Sequence, residues 1–402
     1  MPLRVIAYTS GAHPCGIADY HQRLETHVSG LVRTVKLPTA RVLRDRPLAL
    51  LKHRLMYRRL AAASDAHDVV LLQFVTTWNG FRLGEYLLPT FVNRIRKPLV
   101  VVMHEWPEPV ADDARREGVF GYARVGAEAV IRRLDFAGLR CDSWFDRKLL
   151  PRVSHFFVHA EHLRARLMEA GVPAARISYS IMPVYPDSPA PADANGLPMV
   201  PRDRRVVLLF GFPHPRKRYD VAVRVLAELP KDVVMVLVGS TEGDFRRGYL
   251  EELRQLSREN GTEDRFIVTG EVSTAALSSI FARGNVALAP VSYATGSASL
   301  GHLIAAGVPI VASDAPSVTA LRNAGAGIVT FDTGNVTACT EVLRRVLDDA
   351  PSRNELRRLS QRFTEFHTFA KLAASVGEQL SRAAHGPHEA DESGFAPAGA
   401  HS

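Results

Sequence analysis

The sequence predicts an α/β protein of two Rossmann-like halves facing one another across a hinge. Three observations carry that expectation. Short apolar runs rich in valine recur with helical segments between them; a proline-dense stretch interrupts this rhythm near mid-chain; and the rhythm then starts again. Apolar runs that are continuous, not alternating, mark parallel strands covered on both faces. Strand–helix–strand repetition is how such sheets are wound.

In the first half, strands are expected at Leu3–Thr9 ("LRVIAYT"), Asp68–Phe74 ("DVVLLQF"), Leu99–His104 ("LVVVMH") and His155–Ala160 ("HFFVHA"). Helices are expected in "ADYHQRLETHV" and "AEHLRARLMEAG", the second stopped by Gly171. The stretch "MPVYPDSPAPADANGLPMVP", Met182 to Pro201, has little periodicity and reads as a linker. Strands then follow at Arg205–Gly211, Asp232–Gly239, Arg265–Gly270, Val286–Pro290 and Val308–Ser313. The expected organisation is a first domain over 1–185, a linker over 186–202 and a second domain over 203–365. A C-terminal helix over 366–382 is expected to pack back toward the first domain. The last stretch, 383–402, is too poor in apolar residues to order itself and reads as a disordered tail.

At 402 residues the chain is too long for one ordinary core and suits two domains. Hydrophobic content of 46% beside 23% charged residues is that of a soluble globular protein. No apolar run approaches the roughly 18 residues needed to span a bilayer. The start, "MPLRVIAYTSG", reads as a strand without leader architecture. Cys15, Cys141 and Cys339 form no paired or metal-like spacing, so a reducing, cytoplasmic setting is expected. Net charge is +8, with arginine outnumbering lysine about six to one. No nucleic-acid-binding signature accompanies that charge. It fits an anionic ligand such as a nucleotide diphosphate, or an anionic membrane surface. The segment Arg41 to Ala63 mixes leucines with arginines and can lie on such a surface. A helix packing its apolar face on the first domain is the preferred reading, so peripheral membrane contact is not favoured.

In open α/β sheets, ligands bind beyond the carboxyl ends of the strands. That rule selects four loops. "SGAHPCGIADY" follows the first strand, with Gly11 and Gly16 allowing a close backbone approach. His104-Glu105-Trp106 follows "LVVVM". The histidine can hydrogen-bond a hydroxyl or exchange a proton. Glu105 can orient it or act as a base, and Trp106 offers a face for a sugar ring. "GFPHPRKRYD" crowds His214, Arg216, Lys217 and Arg218 before a helix start, a setting that favours a diphosphate. "TGSASLGHLIAAG" opens a helix with small residues, so the amides of Ser297, Ala298, Ser299 and Leu300 can point at phosphate oxygens, with His302 one turn on.

Together these features resemble the retaining glycosyltransferases of family 4, which have the two-domain GT-B fold. The likeness runs from Leu3 to about Leu380. Its pieces are "CGIADY", "VVMHEWPEP", "FGFPHPRKRYD", "FIVTGEVSTAALSSIFARGNVALAPV" and "LIAAGVPIVASD". The resemblance implies two domains closing across a cleft, and transfer of a hexosyl group with retention from a nucleotide-diphosphate sugar. The donor would be UDP- or GDP-linked, and the acceptor a small molecule, natural product or saccharide. No metal or other cofactor is expected, nor a nucleic-acid partner. The Gly16 loop, His104 and Glu105 would serve the sugar and acceptor. Lys217 matches the family's diphosphate lysine, with His214 and Arg218 beside it. Glu271 and Val272 would lie near the nucleobase.

The sequence departs from the family's pattern in two places. Phe212 stands where many members carry an arginine that partners the lysine. The family's two glutamates correspond to Ala294 and His302, and no Asp or Glu occurs between Glu271 and Asp314. The changed pair leaves two alternatives open. One is a degenerate nucleotide-binding or regulatory relative. The other is a nucleotide-sugar epimerase or hydrolase of the same architecture.

Overall fold

A computed structural model of the chain describes residues 2–10, 16–37, 47–74, 91–106, 149–185, 200, 202–292 and 298–386. Gly11, Cys15, Cys141, Ala294, Ser297, most of the expected linker and residues 387–402 lie outside them. The described chain divides into two units: Met1–Ser180 together with Ala370–Ser402, and Ile181–Phe369.

The first unit is a parallel sheet of β1 (Arg4–Ser10), β2 (Leu31–Leu37), β3 (Val69–Phe74), β4 (Leu99–Met103), β5 (Val153–Val158) and β6 (Ile177–Tyr179). Their order is β2-β1-β3-β4-β5-β6. Every residue of β3 and β4 is buried, as continuous apolar strands in mid-sheet should be. Among the described residues, α1 (Gly16–Glu25), α2 (Pro47–Ala62) and α3 (Glu161–Glu169) accompany this sheet. Met56, Tyr57, Leu60 and Ala61 of α2 pack into the unit's core at helical spacing, while Leu55 is exposed. The strand order reverses between β1 and β3, so the carboxyl ends of those strands flank a switch point.

The second unit is a parallel sheet of β7 (Arg205–Phe210), β8 (Val233–Val238), β9 (Phe266–Gly270), β10 (Val286–Ala289), β11 (Ile310–Ser313) and β12 (Ile328–Phe331). The order β12-β11-β10-β7-β8-β9 is that of a Rossmann sheet, whereas the first unit has the flavodoxin-like variant. Among the described residues, seven helices belong to this unit: α4 (Tyr219–Glu228), α5 (Asp244–Glu259), α6 (Thr274–Arg283), α7 (Ala298–Ala305), α8 (Pro316–Asn323), α9 (Val336–Asp348) and α10 (Ala350–Phe366). Along β8, Val233, Met235 and Leu237 join one hydrophobic cluster, and Val234, Val236 and Val238 join the other. The strand's two-residue period thus feeds cores on both faces of the sheet. Here the reversal falls between β7 and β10.

Two boundaries differ from expectation. Val184 and Tyr185 belong to the second unit: the Val184 amide donates to the His367 carbonyl at 2.9 Å, and the Tyr185 ring packs edge-on to Phe369. The last helix, α11 (Phe369–His385), continues past residue 382 into the stretch assigned to a tail. From Ala370 its residues fall with the first unit, and Leu372, Ala373, Val376 and Leu380 form its buried stripe. No helix among the described residues is long and apolar enough to cross a membrane.

Candidate functional site

In the second unit, the chain leaves β7 at Gly211 and curls back over the strand end. Gly211 has φ +115°, and a Cβ there would lie 2.6 Å from both Lys217 Nζ and Ser299 Oγ. Gly239, just past β8, has φ +155°, and its Cβ would lie 2.6 Å from the Gly211 carbonyl. Two adjacent strand ends thus carry glycine where any side chain would collide with the lysine or with the neighbouring backbone. Residues Pro215–Lys217 make a single 3-10 turn, which His214 caps by accepting the Arg216 amide on Nδ1 at 3.1 Å. Arg218 then adopts the left-handed φ of 51° that starts α4.

That turn brings Lys217 back to the strand end. Its ammonium donates to the Phe210 carbonyl at 3.2 Å and to Ser299 Oγ at 2.9 Å. An ammonium has three protons, so one is left with no acceptor among the described residues. Burial pushes the group down to about 8, and no carboxylate among the described residues counters that loss of water. Phe210, Lys217, Tyr219, Ala289, Ser299 and Leu300 are among the residues lining a pocket at this switch point. Ser299 stands in the first turn of α7, where backbone amides lack partners within the helix. Ala298 beside it is half-buried. The Leu300 side chain is buried, so only its backbone can meet a ligand.

The other expected donor-side residues are placed differently. His302 stacks on Tyr185 at 4.2 Å and stands edge-on to Phe210 at 5.7 Å, so aromatic packing fixes its ring. Glu271 is exposed just past β9, and Val272 packs against a core cluster. Arg218 is not brought to Lys217: its guanidinium is committed to Asp220 at 3.1 Å. One cation in this region escaped sequence reasoning. Arg246, in the first turn of α5, lies over the Phe212 ring at 3.9 Å. Phe212 therefore holds an arginine that comes from a different element.

In the first unit, Tyr20, His21, Gln73, His104 and His159 form one network. Gln73 is in β3, and His104 and His159 immediately follow β4 and β5. His104 Nε2 lies 2.8 Å from Gln73 Oε1, and Gln73 Nε2 lies 3.3 Å from His21 Nδ1. His159 Nδ1 lies 2.9 Å from the Ser180 carbonyl, so that nitrogen carries the proton; Nε2 then accepts from the Tyr20 hydroxyl at 2.7 Å. The Tyr20 ring stands edge-on to His104 at 5.0 Å. Burial holds His21 and His159 at about 4 and His104 at about 3, well below an imidazole's ordinary value. All three rings are neutral at physiological pH.

His104 and Glu105 are half-buried at the end of β4. Gly16 is the exposed first residue of α1, where a Cβ would meet nothing within 4 Å. No packing within the described protein requires glycine there. Trp106 is less open than expected, because it packs against the unit's core and the Arg166 guanidinium lies over its ring at 5.6 Å. The signal that would have revealed Gln73 and His159 is a polar residue at or just past the last position of an apolar run, on strands neighbouring that of His104. Among the described residues, no group of three His, Cys, Asp or Glu could hold a metal ion.

Residues 204–349 match the family described as Glycosyl transferases group 1, a span lying within the second unit. Solved structures extend the likeness to almost the whole chain. HepE (Alr3699) from Anabaena, in complex with UDP and glucose, is 14% identical; the match covers 94% of this chain and 99% of that one, at a TM-score of 0.69. Sucrose-phosphate synthase from Thermosynechococcus elongatus is 15% identical, with 94% and 98% covered and a TM-score of 0.68. WaaG, a glycosyltransferase involved in lipopolysaccharide biosynthesis, is 14% identical, with 94% and 99% covered and a TM-score of 0.62. At these identities the likeness establishes the fold: α/β, with the two parallel sheets of GT-B structures. No curated protein matches the chain.

Proposed function

We propose that this chain is a glycosyltransferase. It moves a hexosyl group, with retention, from a UDP- or GDP-linked sugar to the hydroxyl of a small molecule, natural product or saccharide in the cytoplasm. The observation that carries the reading is the half-buried Lys217, whose ammonium is turned to the strand end. It is held by Phe210 and Ser299 at the first turn of α7, has one proton unclaimed among the described residues, and lies within the segment that matches the group 1 family. A nucleotide's diphosphate supplies the anion that such a group lacks. The α7 amides, those of Ala298, Ser299 and Leu300, add the positive end of a helix; the Ser297 amide expected beside them lies outside the described residues. Arg246, preset on Phe212, supplies the second cation in place of the missing loop arginine. His214 shapes the turn that presents Lys217. Glu271, Val272 and His302 border the nucleoside.

In the reaction, the bond from the sugar's C1 to the diphosphate oxygen breaks, and its electron pair leaves with the diphosphate. The acceptor oxygen bonds to C1 on the same face and gives its proton to the departing oxygen. Lys217 and the α7 amides offset the charge that develops on the diphosphate, so no protein nucleophile and no metal is required. On the first unit, His104 accepts a hydrogen bond from a hydroxyl, and Glu105 and the Gly16 backbone serve the sugar and acceptor.

The test is turnover. The protein is incubated with UDP- and GDP-linked hexoses, with and without a panel of sugars, cyclitols and phenols, and diphosphate release is followed. Release that depends on an acceptor and survives a chelator is expected. Loss of activity with the chelator would overturn metal independence. Consumption of the sugar nucleotide without acceptor would favour an epimerase or hydrolase. Binding without turnover would favour the regulatory alternative.

A further inference from the structure

The network around His104 ends at a carboxylate, and this gives it a direction. Two proton arrangements suit the distances along Thr34, His21, Gln73 and His104. In one, His104 Nε2–H donates to Gln73 Oε1, the Gln73 amide donates to His21 Nδ1, and His21 Nε2–H donates to Thr34 Oγ1 at 3.0 Å. In the other, the Gln73 amide is turned over and every proton points the opposite way. A side-chain amide's orientation follows from its network, not from its shape. Glu25 discriminates between the two, because its carboxylate lies 3.8 Å from His21 Nε2 and favours a proton on that nitrogen. A proton on His21 Nε2 leaves Nδ1 as the acceptor, which requires the Gln73 NH₂ there and the Gln73 oxygen at His104.

The geometry points to Gln73 as a positioning residue: with His21 and Glu25 it fixes His104 in the Nε2–H tautomer and leaves Nδ1 as a bare acceptor. Nδ1 has no protein partner among the described residues, and the residue is half-buried. Such a nitrogen accepts from a hydroxyl and rejects a carbonyl, carboxylate or phosphate oxygen, which has no proton to give. A ligand group meeting His104 is therefore a sugar-type hydroxyl; a keto or uronate oxygen at that position is selected against. The functional half of this inference rests on the glycosyltransferase reading. The tautomer does not.

Neutral histidine tautomers are read directly from long-range proton–nitrogen correlations on the full-length protein with ¹⁵N-labelled histidine at neutral pH. His104→Asn identifies the His104 signals by their loss. Wild type is expected to show His104 protonated on Nε2 and bare on Nδ1. Gln73→Leu should spread the proton over both nitrogens, and Gln73→Glu, which keeps the accepting oxygen, should restore Nε2–H. Glu25→Gln, half-exposed and simple to accommodate, should weaken the bias even where Gln73→Leu does not fold. A proton on Nδ1 in wild type, or an unchanged tautomer in Gln73→Leu, would overturn the assignment. In turnover, Gln73→Leu should lower kcat roughly tenfold, the worth of about one hydrogen bond, with nucleotide affinity unchanged and activity recovered in Gln73→Glu. The expected tautomer in a protein that turns over no sugar nucleotide would leave the relay standing and refute the glycosyltransferase reading instead.

Discussion

Lys217 keeps a charge where water cannot fully support it, and that sets how its site responds to pH. Burial lowers its ordinary value of 10.5 to about 8, so the cation is complete below pH 8 and disappears above it. A bound diphosphate favours the charged form and raises the value again, so binding takes up a proton above pH 8. Affinity should be flat below that point and then fall by about tenfold per pH unit, whereas Lys217→Ala should bind weakly with no such break. Dissociation constants measured across this range check the expectation. Composition alone could not single out Lys217 among its neighbours. Arg216 is exposed, with its carbonyl accepting from the Ser292 amide, and Arg218 turns to Asp220. The 3-10 turn and the left-handed Arg218 decide which side chain goes inward, and neither leaves a mark in the order of charges.

At the scale of elements, central strands were legible, and of the edge strands only β9, with its apolar run over 266–268, was. β3, β4 and β8 are covered on both faces, so their sequences are unbroken apolar runs. β2 is an edge strand whose Arg33 and Lys36 interrupt the apolar pattern, β6 is three residues long, and β12 closes the other sheet. None of these three announces itself by hydrophobicity. One arginine also joins elements in a way its chemistry hides. Arg265 is 2% exposed and donates to the carbonyls of Leu226, Leu229, Pro230 and Val233, closing the carboxyl end of α4 against β8. Arg265→Met removes those donors and also a costly buried charge, so the net loss should be about 2 kcal/mol. Denaturant unfolding measures it, and unchanged stability would mean that the charge outweighs its bonds.

At the scale of the whole chain, the two units share a plan and differ in their buried chemistry. The strongly depressed histidines His21, His104, His155 and His159 all belong to the first unit. Their folded values of about 3 to 4 lie below the ordinary 6.5. The unfolded chain therefore binds more protons below pH 6.5. The stability they confer is complete above that point and is lost as pH falls toward 4. His21, His104 and His159 each contribute up to about 1.4 kcal/mol per pH unit across that window. Calorimetric unfolding should thus show one transition moving to lower temperature between pH 6.5 and 4 while the other holds. A coincident shift of both would contradict this asymmetry. The sequence made the two-unit plan plain, because burial repeats along the chain. It did not show how Gln73, His104 and His159 meet, because strand order, and not sequence distance, makes them neighbours.

The proposed function turns on Lys217 and Ser299 holding a nucleotide diphosphate. Titration calorimetry with UDP, GDP, ADP and dTDP, without added metal, on wild type and Lys217→Ala tests it most directly. One of these nucleotides is expected to bind wild type in the micromolar range, and the substitution to weaken it by roughly tenfold or more, the worth of a charge-assisted hydrogen bond. No binding by any of the four, or equal binding by both proteins, would contradict it.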